Sequence, residues 1–341
     1  MSIPSVVLAE ASWYGSIRTG IESKPIKTAD ATDTEAAKYE QRTGVADFSS
    51  RWGIQGSSEV SEGLTAVYRY ERSIDSSDAS EPDGRLSYVG LSGGFGTVTI
   101  GKVWGAAYNH FGGIVDQAYW YGSSGETGDR FADAVSYAVS VGNVSLQADA
   151  IMEQSEDKTV DAFNFGATLD GVMETGSVAI AHRKLPDGLQ RVQGFGVIGV
   201  SEMSSSFVAG NYGVGDLTVF LGYSQDLMKG HDCDVAMVSV FGCAAKTKTK
   251  TTYAGIHGGV GDTGVNYVFT MRNEKVNTNG FIDNDTDPSS PADPTFESSK
   301  ANPWTLGLSR SLGGGATVNF EHGEPDSDDD SSTAIWLQVD F

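Results

Sequence analysis

Segments of about ten residues in which apolar and polar side chains alternate recur from one end of this chain to the other. No stretch approaches the roughly 18 consecutive apolar residues that a membrane-spanning helix needs. The last segment is the clearest: in Thr333 to Phe341, Ile335, Leu337, Val339 and Phe341 fall on one face and Gln338 and Asp340 on the other. Leu217, Val219, Leu221 and Tyr223 alternate with Thr218 and Ser224 in the same way, Phe163, Phe165 and Leu169 with Asn164 and Thr168, and Val265, Tyr267, Phe269 and Met271 with Asn266, Thr270 and Arg272. Polar residues this regular are unusual on the core face of a soluble sheet. Ten residues are what a tilted strand needs to cross a bilayer, and strands with one lipid face and one watery face average to near-neutral hydropathy. The mean hydropathy of −0.23 therefore does not exclude a membrane protein.

Strands are expected to begin near residues 11, 46, 63, 84, 95, 131, 143, 159, 174, 203, 216, 248, 263, 300, 315 and 332, which makes sixteen. Their separators alternate in length. Long polar segments (22–45, 73–83, 105–130, 227–247, 275–299, 324–331) follow the odd strands, and short turns such as Gly93-Gly94, Gly142, Gly215, Gly261-Asp262 and Gly313-Gly314-Gly315 follow the even ones. An up-and-down barrel inserted from one side requires this rhythm, with both termini at one rim. The expected fold is thus all-β: a 16-stranded antiparallel transmembrane β-barrel, one domain over 10–341. Residues 185–215 fit least well; QRVQGFGVIGV is taken as loop, and reading it as strand would raise the count to eighteen. The segment 1–9 (MSIPSVVLA) reads as a remnant of a signal peptide ending in small residues.

A net charge of −22 leaves no basic stripe for nucleic acid. The two cysteines, Cys233 and Cys243, suit a disulfide closing one loop in an oxidising envelope, and neither has neighbours that complete a zinc spacing. Asp283, Asp285 and Asp287 are weak calcium candidates because the glycine and distal glutamate of an EF-hand are missing; hydrated external loops are the better account of this run and of EPDSDDD at 324–330. No cofactor is expected beyond loosely bound Ca²⁺. Lys246, Lys248 and Lys250 alternate with threonines on one strand face near the outer rim, to contact anionic headgroups or line the mouth. His110, His182, His231, His257 and His322 are scattered, and no catalytic motif accompanies them, so no enzyme is expected.

Two stretches go further than architecture. Ser50-Arg51-Trp52-Gly53-Ile54-Gln55-Gly56, with Glu59 and Gly63-Leu64-Thr65-Ala66, and then Gly84-Arg85-Leu86-Ser87-Tyr88-Val89-Gly90-Leu91 with Gly93-Gly94-Phe95-Gly96-Thr97-Val98-Thr99-Ile100-Gly101-Lys102, resemble the strand two to three and strand four to five hairpins of Gram-negative general porins. The terminal phenylalanine resembles that family's assembly signature. These motifs cover about a quarter of the chain. The resemblance implies a homotrimer in the outer membrane, in contact with its lipid and lipopolysaccharide, passing small polar solutes and ions, with a third external loop folded into the pore. That loop corresponds to 105–130, though it lacks the enterobacterial Pro-Glu-Phe-Gly-Gly run; its acids are Asp116, Glu126 and Asp129. The resemblance also implies a basic cluster facing the loop, at Arg18, Arg51, Arg85 and Arg130.

Parity supports three of these four. Arg51 is out of phase with Trp52 and Ile54, Arg18 is in phase with Ser16, and Arg85 is in phase with Ser87 and out of phase with Leu86 and Tyr88. Arg69 and Arg183 also point inward by this rule. Trp13, Tyr70, Trp104, Tyr137, Tyr223, Tyr267 and Trp304 are expected in interfacial girdles and subunit contacts. Acidic loops suggest weak cation preference, against which the basic cluster acts. The rivals are a substrate-selective channel, suggested by Tyr119-Trp120-Tyr121, a structural or adhesive barrel, and a soluble acidic β-protein.

Overall fold

The computed structural model describes residues 10–29, 38–78, 83–121, 130–152, 159–185, 188–192, 196–230, 244–281, 295–324 and 331–341. The signal remnant, Glu126, Asp129, Cys233, Cys243, Asp283, Asp285, Asp287 and 325–330 lie outside the described residues.

Strand β1 is Glu10–Ala29, and β2 runs in two pieces, Lys38–Asp47 and Arg51–Ser61. Then come β3 Leu64–Ser73, β4 Gly84–Gly93, β5 Gly96–Trp104, β6 Arg130–Val141, β7 Val144–Ile151 and β8 Ala162–Val172. Strand β9 is Gly176–Leu185 and Gly188–Val192, followed by β10 Gly196–Val214, β11 Leu217–Gly230, β12 Ala244–Gly259 and β13 Val265–Phe281. Strand β14 is Thr295–Ala301 and Trp304–Gly313, and β15 Ala316–Glu324 and β16 Ser332–Asp340 end the chain. In each split strand both pieces pair with the same partner: those of β2 with β1, those of β9 with β10, those of β14 with β13. The number of passages is therefore sixteen.

Each strand pairs antiparallel with its neighbours in sequence, and β1 closes on β16 from Ser16↔Asp340 to Ser23↔Thr333. At the seam the Gly15 N–H donates to the Phe341 carbonyl at 2.9 Å and the Phe341 N–H returns to the Gly15 carbonyl at 3.1 Å. The terminal residue thus completes the ladder, and closure leaves no strand edge exposed. The inner-rim turns carry glycines at positive φ, Gly142 at 60° and Gly215 at 59° among them, a backbone region in which a side chain is strained.

Two expectations change. The stretch 188–200 is not loop: Gly188–Val192 pairs with Gly196–Val200, so it lengthens β9 and β10 and adds no passage. Local apolarity could not show this, because a hairpin extended beyond the bilayer looks like any short strand. The long separators are also shorter than read, because β1, β2 and β11 to β14 continue well into them; Ile26↔Glu40, Lys229↔Lys246 and Asn277↔Ser298 are ladder partners.

The faces follow the alternation. On β16, Ile335 and Leu337 point outward while Ala334 and Trp336 are buried inside. Trp13, Tyr70, Tyr137 and Tyr223 are outward and exposed, as girdle residues should be. Trp104 is a correction: Tyr108 stacks on it at 4.2 Å between ring centroids and the Arg130 guanidinium lies 4.8 Å from its centroid, so it belongs to the base of the loop after β5.

Candidate functional site: the pore constriction

Of the loop joining β5 to β6, residues 105–121 are described. They lie against the inward face of the barrel wall. Near the start, Asp149 of β7 accepts the Ala106 N–H at 2.7 Å, Asn164 of β8 accepts the Ala107 N–H at 3.1 Å, and Asn109 donates to Gln147 at 2.7 Å. His110, buried in the short helical turn Tyr108–Gly112, meets Thr168 of β8 at 2.7 Å. Beyond it Phe111, Ile114 and Val115 pack on Ala179, Ala181, Phe207, Ala209, Phe220 and Tyr253, the inward residues of β9 to β12. The wall makes room for this: a Cβ at Gly166 would come within 2.4 Å of His110, and one at Gly222 within 2.6 Å of Val115.

The next turn of the loop is held by carboxylates. Glu321 of β15 accepts three successive main-chain N–H groups, from Tyr119, from Trp120 at 2.9 Å and from Tyr121 at 2.6 Å. Glu22 of β1 accepts the Trp120 indole N–H at 3.2 Å and the Tyr121 hydroxyl at 3.1 Å, Thr305 of β14 donates to the Tyr121 carbonyl at 2.8 Å, and Ser309 donates to the Tyr119 hydroxyl at 3.0 Å. Phe48 stacks between Trp336 and the edge of Trp120. The Tyr119-Trp120-Tyr121 segment is therefore bound to the wall, with Tyr121 buried.

Residues 105–121 follow the wall from β7 round to β1 and touch Phe48 at the break in β2. The inner wall of β1 to β4, with the start of β6, carries the basic cluster. The side chain of Arg51 lies within electrostatic reach of Arg18, Arg69, Arg85 and Arg130. Glu71, which is buried, anchors two of the five: Arg69 at 2.8 Å and Arg85 at 2.6 Å, with Tyr14 donating to it at 2.9 Å. Arg18 donates to the Ser16 hydroxyl at 2.8 Å and Arg51 to the Ser49 carbonyl at 3.4 Å, while Arg130 rests on Trp104; none of these three is in an ion pair among the described residues. Asp340 and Asp47 are within electrostatic reach of Arg18, but Asp47 is occupied by the Ser49, Ser50 and Ser76 N–H groups at the break in β2. Five guanidiniums thus meet three carboxylates. Across from them the loop presents Asp116 and Tyr108, whose phenol feels both Asp116 and the arginines; burial pushes that phenol above its usual range, so it stays a neutral donor.

The sequence places Arg18, Arg51, Arg69 and Arg183 inward for the right reason, but Arg85 for the wrong one. Ser87 sits opposite the exposed Tyr70, and Leu86, opposite Glu71, is the inward residue. The register slips between Glu71↔Leu86 and Arg72↔Gly84, which leaves Arg85 unpaired in a bulge, free to turn its guanidinium to Glu71. Arg183 lies apart from the cluster, over Phe207. Glu71 and Asp340 could have been found by their phase with the arginines; nothing in the sequence marks Glu22 or Glu321. No group of three metal-binding side chains occurs among the described residues.

A closed barrel with one loop folded against its interior is the architecture of a channel-forming barrel of the membrane. The Gram-negative porin family matches residues 1–331, and the chain belongs to it. Among relatives, the major outer membrane protein P.IA of Neisseria meningitidis serogroup C is 34% identical over 113 residues, 30% of this chain and 29% of that protein. The P.IB protein of Neisseria gonorrhoeae is 31% identical over 103 residues, 30% and 29% of the two chains; the alignments thus span under a third of these relatives. Among solved structures, a loop-deleted OmpT of Vibrio cholerae superposes with a TM-score of 0.68 at 14% identity, covering 98% of this chain and 99% of that one. The anion-selective porin from Comamonas acidovorans superposes at 0.66 with 15% identity, covering 98% and 100%. Likeness at these identities shows the fold.

Proposed function

We propose that this protein is a passive diffusion channel for small hydrophilic solutes and ions, placed in the outer membrane as a multi-pass β-barrel and working as a homotrimer in contact with lipid and lipopolysaccharide. The observation that carries this is the lumen itself: loop residues 105–121 are docked on the inner wall from β7 to β1, and Arg51, Arg85 and Arg130 of the basic cluster stand within electrostatic reach of Tyr108 of that loop. Water and a polar solute pass between a basic wall and the loop carrying Asp116. A transverse field aligns a dipolar solute, whereas an apolar one must strip ordered water from both sides without compensation. Trimeric assembly is supported by the OmpT of Vibrio cholerae solved in a trimer form, which has the same fold.

Among the described residues no ion pair neutralises Arg18, Arg51 or Arg130, so the narrow section favours anions while the acidic outer loops enrich cations at the mouth. The narrow section sets the sign, because there the solute passes within reach of the charges and screening is weakest. The test is conductance of the detergent-purified protein in a planar bilayer, with the reversal potential under a salt gradient. Closure in three equal steps with an anion-side reversal potential is expected. A protein that inserts and never conducts overturns the channel, and a cation-side reversal potential overturns the reading of the constriction alone.

A further inference from the structure

Across the inner wall of β1 to β4, ladder partners set one row of side chains just on the inner-rim side of Glu71: Ser12 opposite Gln55, Gln55 opposite Arg69, and Arg69 opposite Tyr88. The next row toward the rim is small, with Ser57 opposite Val67 and Val67 opposite Gly90. Large side chains above small ones leave a hollow in the wall. Ser12, Gln55, Ser57, Val67 and Tyr88, all in phase with the inward Tyr14 and Glu71, line a cavity of about 560 Å³ there.

Arg69 stands at the upper edge of this hollow and is held in place. Its Nε donates to the Tyr14 hydroxyl at 2.7 Å and its Nη2 to Glu71 at 2.8 Å, and its guanidinium lies 4.9 Å from the centroid of the Tyr14 ring. Its Nη1 enters no hydrogen bond or ion pair with a described residue. The Gln55 amide and the Ser57 and Tyr88 hydroxyls have no such partner either, although the Tyr88 ring is packed against the apolar cluster that includes Val103 and Ala134. The fold thus fixes the guanidinium and the phenol and leaves their donors free, so little ordering is lost when a solute arrives.

The free groups are of two kinds. A guanidinium edge takes a carboxylate, whereas an amide and hydroxyls both donate and accept, which suits the hydroxyls of a solute. Val67 and the Tyr88 ring add contact for C–H groups. An apolar ring carboxylate would leave the amide and the hydroxyls without partners, and a neutral sugar would leave the guanidinium edge with none. An inorganic anion would leave most of the hollow to water.

We propose that this hollow is a resting site for a monosaccharide carboxylate, a polyhydroxylated six-membered ring whose acid group binds Arg69 and whose hydroxyls bind Gln55, Ser57 and Tyr88. The inference rests on the channel reading above and adds a solute class and the place where that solute is held on its way through.

The test is saturation-transfer NMR of the full-length protein in detergent, titrated with glucuronate, glucose and cyclohexanecarboxylate, alongside conductance in the planar bilayer. Glucuronate is expected to bind saturably and about tenfold more tightly than either of the others. R69Q should weaken glucuronate by about tenfold or more, the loss of one charge-assisted hydrogen bond. R51Q removes the same charge from the cluster but stands four residues from Gln55 along β2, and should weaken it much less. Q55A/Y88F should weaken glucuronate about tenfold and leave cyclohexanecarboxylate unchanged. Equal weakening by R69Q and R51Q would show that only the general field is felt and overturns the site. Equal binding of the three solutes overturns it too, as does equal binding of glucuronate by the parent and Q55A/Y88F. A parent that conducts but binds no glucuronate removes this inference and leaves the channel standing; a parent that binds glucuronate without conducting does the reverse.

Discussion

Glu321 is the point at which one side chain decides the shape of the pore, and its removal has a calculable consequence. Its carboxylate accepts the Tyr119, Trp120 and Tyr121 main-chain N–H groups together, where no described residue offers those donors another acceptor. Hydrogen bonds to a charged group contribute about 1.5–3 kcal/mol each, so Glu321→Ala costs on the order of 5 kcal/mol of docking energy. At about 1.4 kcal/mol per tenfold, the docked-to-undocked ratio falls by between three and four orders of magnitude. The apolar anchor at Phe111 and Val115 is separate and stays in place, so the barrel remains folded and only the distal turn is released. In single-channel recording, E321A is expected to show excursions to other conductance levels that the parent lacks. Glu321→Gln should be intermediate, since its carbonyl keeps an acceptor while its amide opposes an N–H. Traces of E321A indistinguishable from the parent, at normal trimer yield, would refute the reasoning.

The field across the constriction can be tipped either way: R18Q/R51Q/R130Q should move the reversal potential toward cations, and D116N/E126Q/D129N toward anions, with unchanged potentials sinking the assignment of both walls. His110 should make loop docking acid-sensitive, because burial holds its imidazole below the usual histidine range; the undocked form takes up a proton first, so docking weakens as pH falls below about 6.5. Current noise that grows on acidification in the parent but not in His110→Asn checks this. Gly222→Ala should cost about 1–3 kcal/mol by pressing a methyl into Val115 and Phe111, seen as a lower melting temperature of the trimer, and a melting temperature equal to the parent's would mean the loop is not seated there.

How much of this was legible in the sequence depends on how locally each feature is encoded. Alternation such as Ile335-Leu337-Val339 against Gln338 and Asp340 is set by the two-residue repeat of a strand, so membrane faces and inward arginines could be read wherever the ladder is regular. The rule fails where the ladder slips. Arg85 turns inward through a bulge that no residue type announces, and Ser49, at φ 66°, breaks β2 between two stretches that look alike in composition. The docking of the loop was less legible still, because its partners lie up to about 200 residues away. Glu22 and Glu321 are ordinary lumenal acids by pattern, and only closure of the barrel brings them to one turn of the loop.

The same contrast bears on what fixes the pore. Where Phe111, Ile114 and Val115 dock, the inward positions are small or apolar, Ala179, Ala181, Ala209 and Gly222 among them, whereas the wall of β1 to β4 carries Arg18, Arg51, Arg69 and Arg85. Phe111, Ile114 and Val115 laid on the arginine wall would bury guanidiniums against apolar side chains, at a cost of several kcal/mol each, whereas on the wall they occupy they meet apolar neighbours. The side on which residues 111–115 dock is therefore set by the wall as much as by the loop. On this account, charging the docking wall with Ala181→Arg should displace the loop and narrow the passage, whereas the same charge added beside Arg51 at Gln55 should leave the loop docked and deepen anion preference. Reversal of these two outcomes in conductance recordings would show that the loop's own sequence, and not the wall, selects its side.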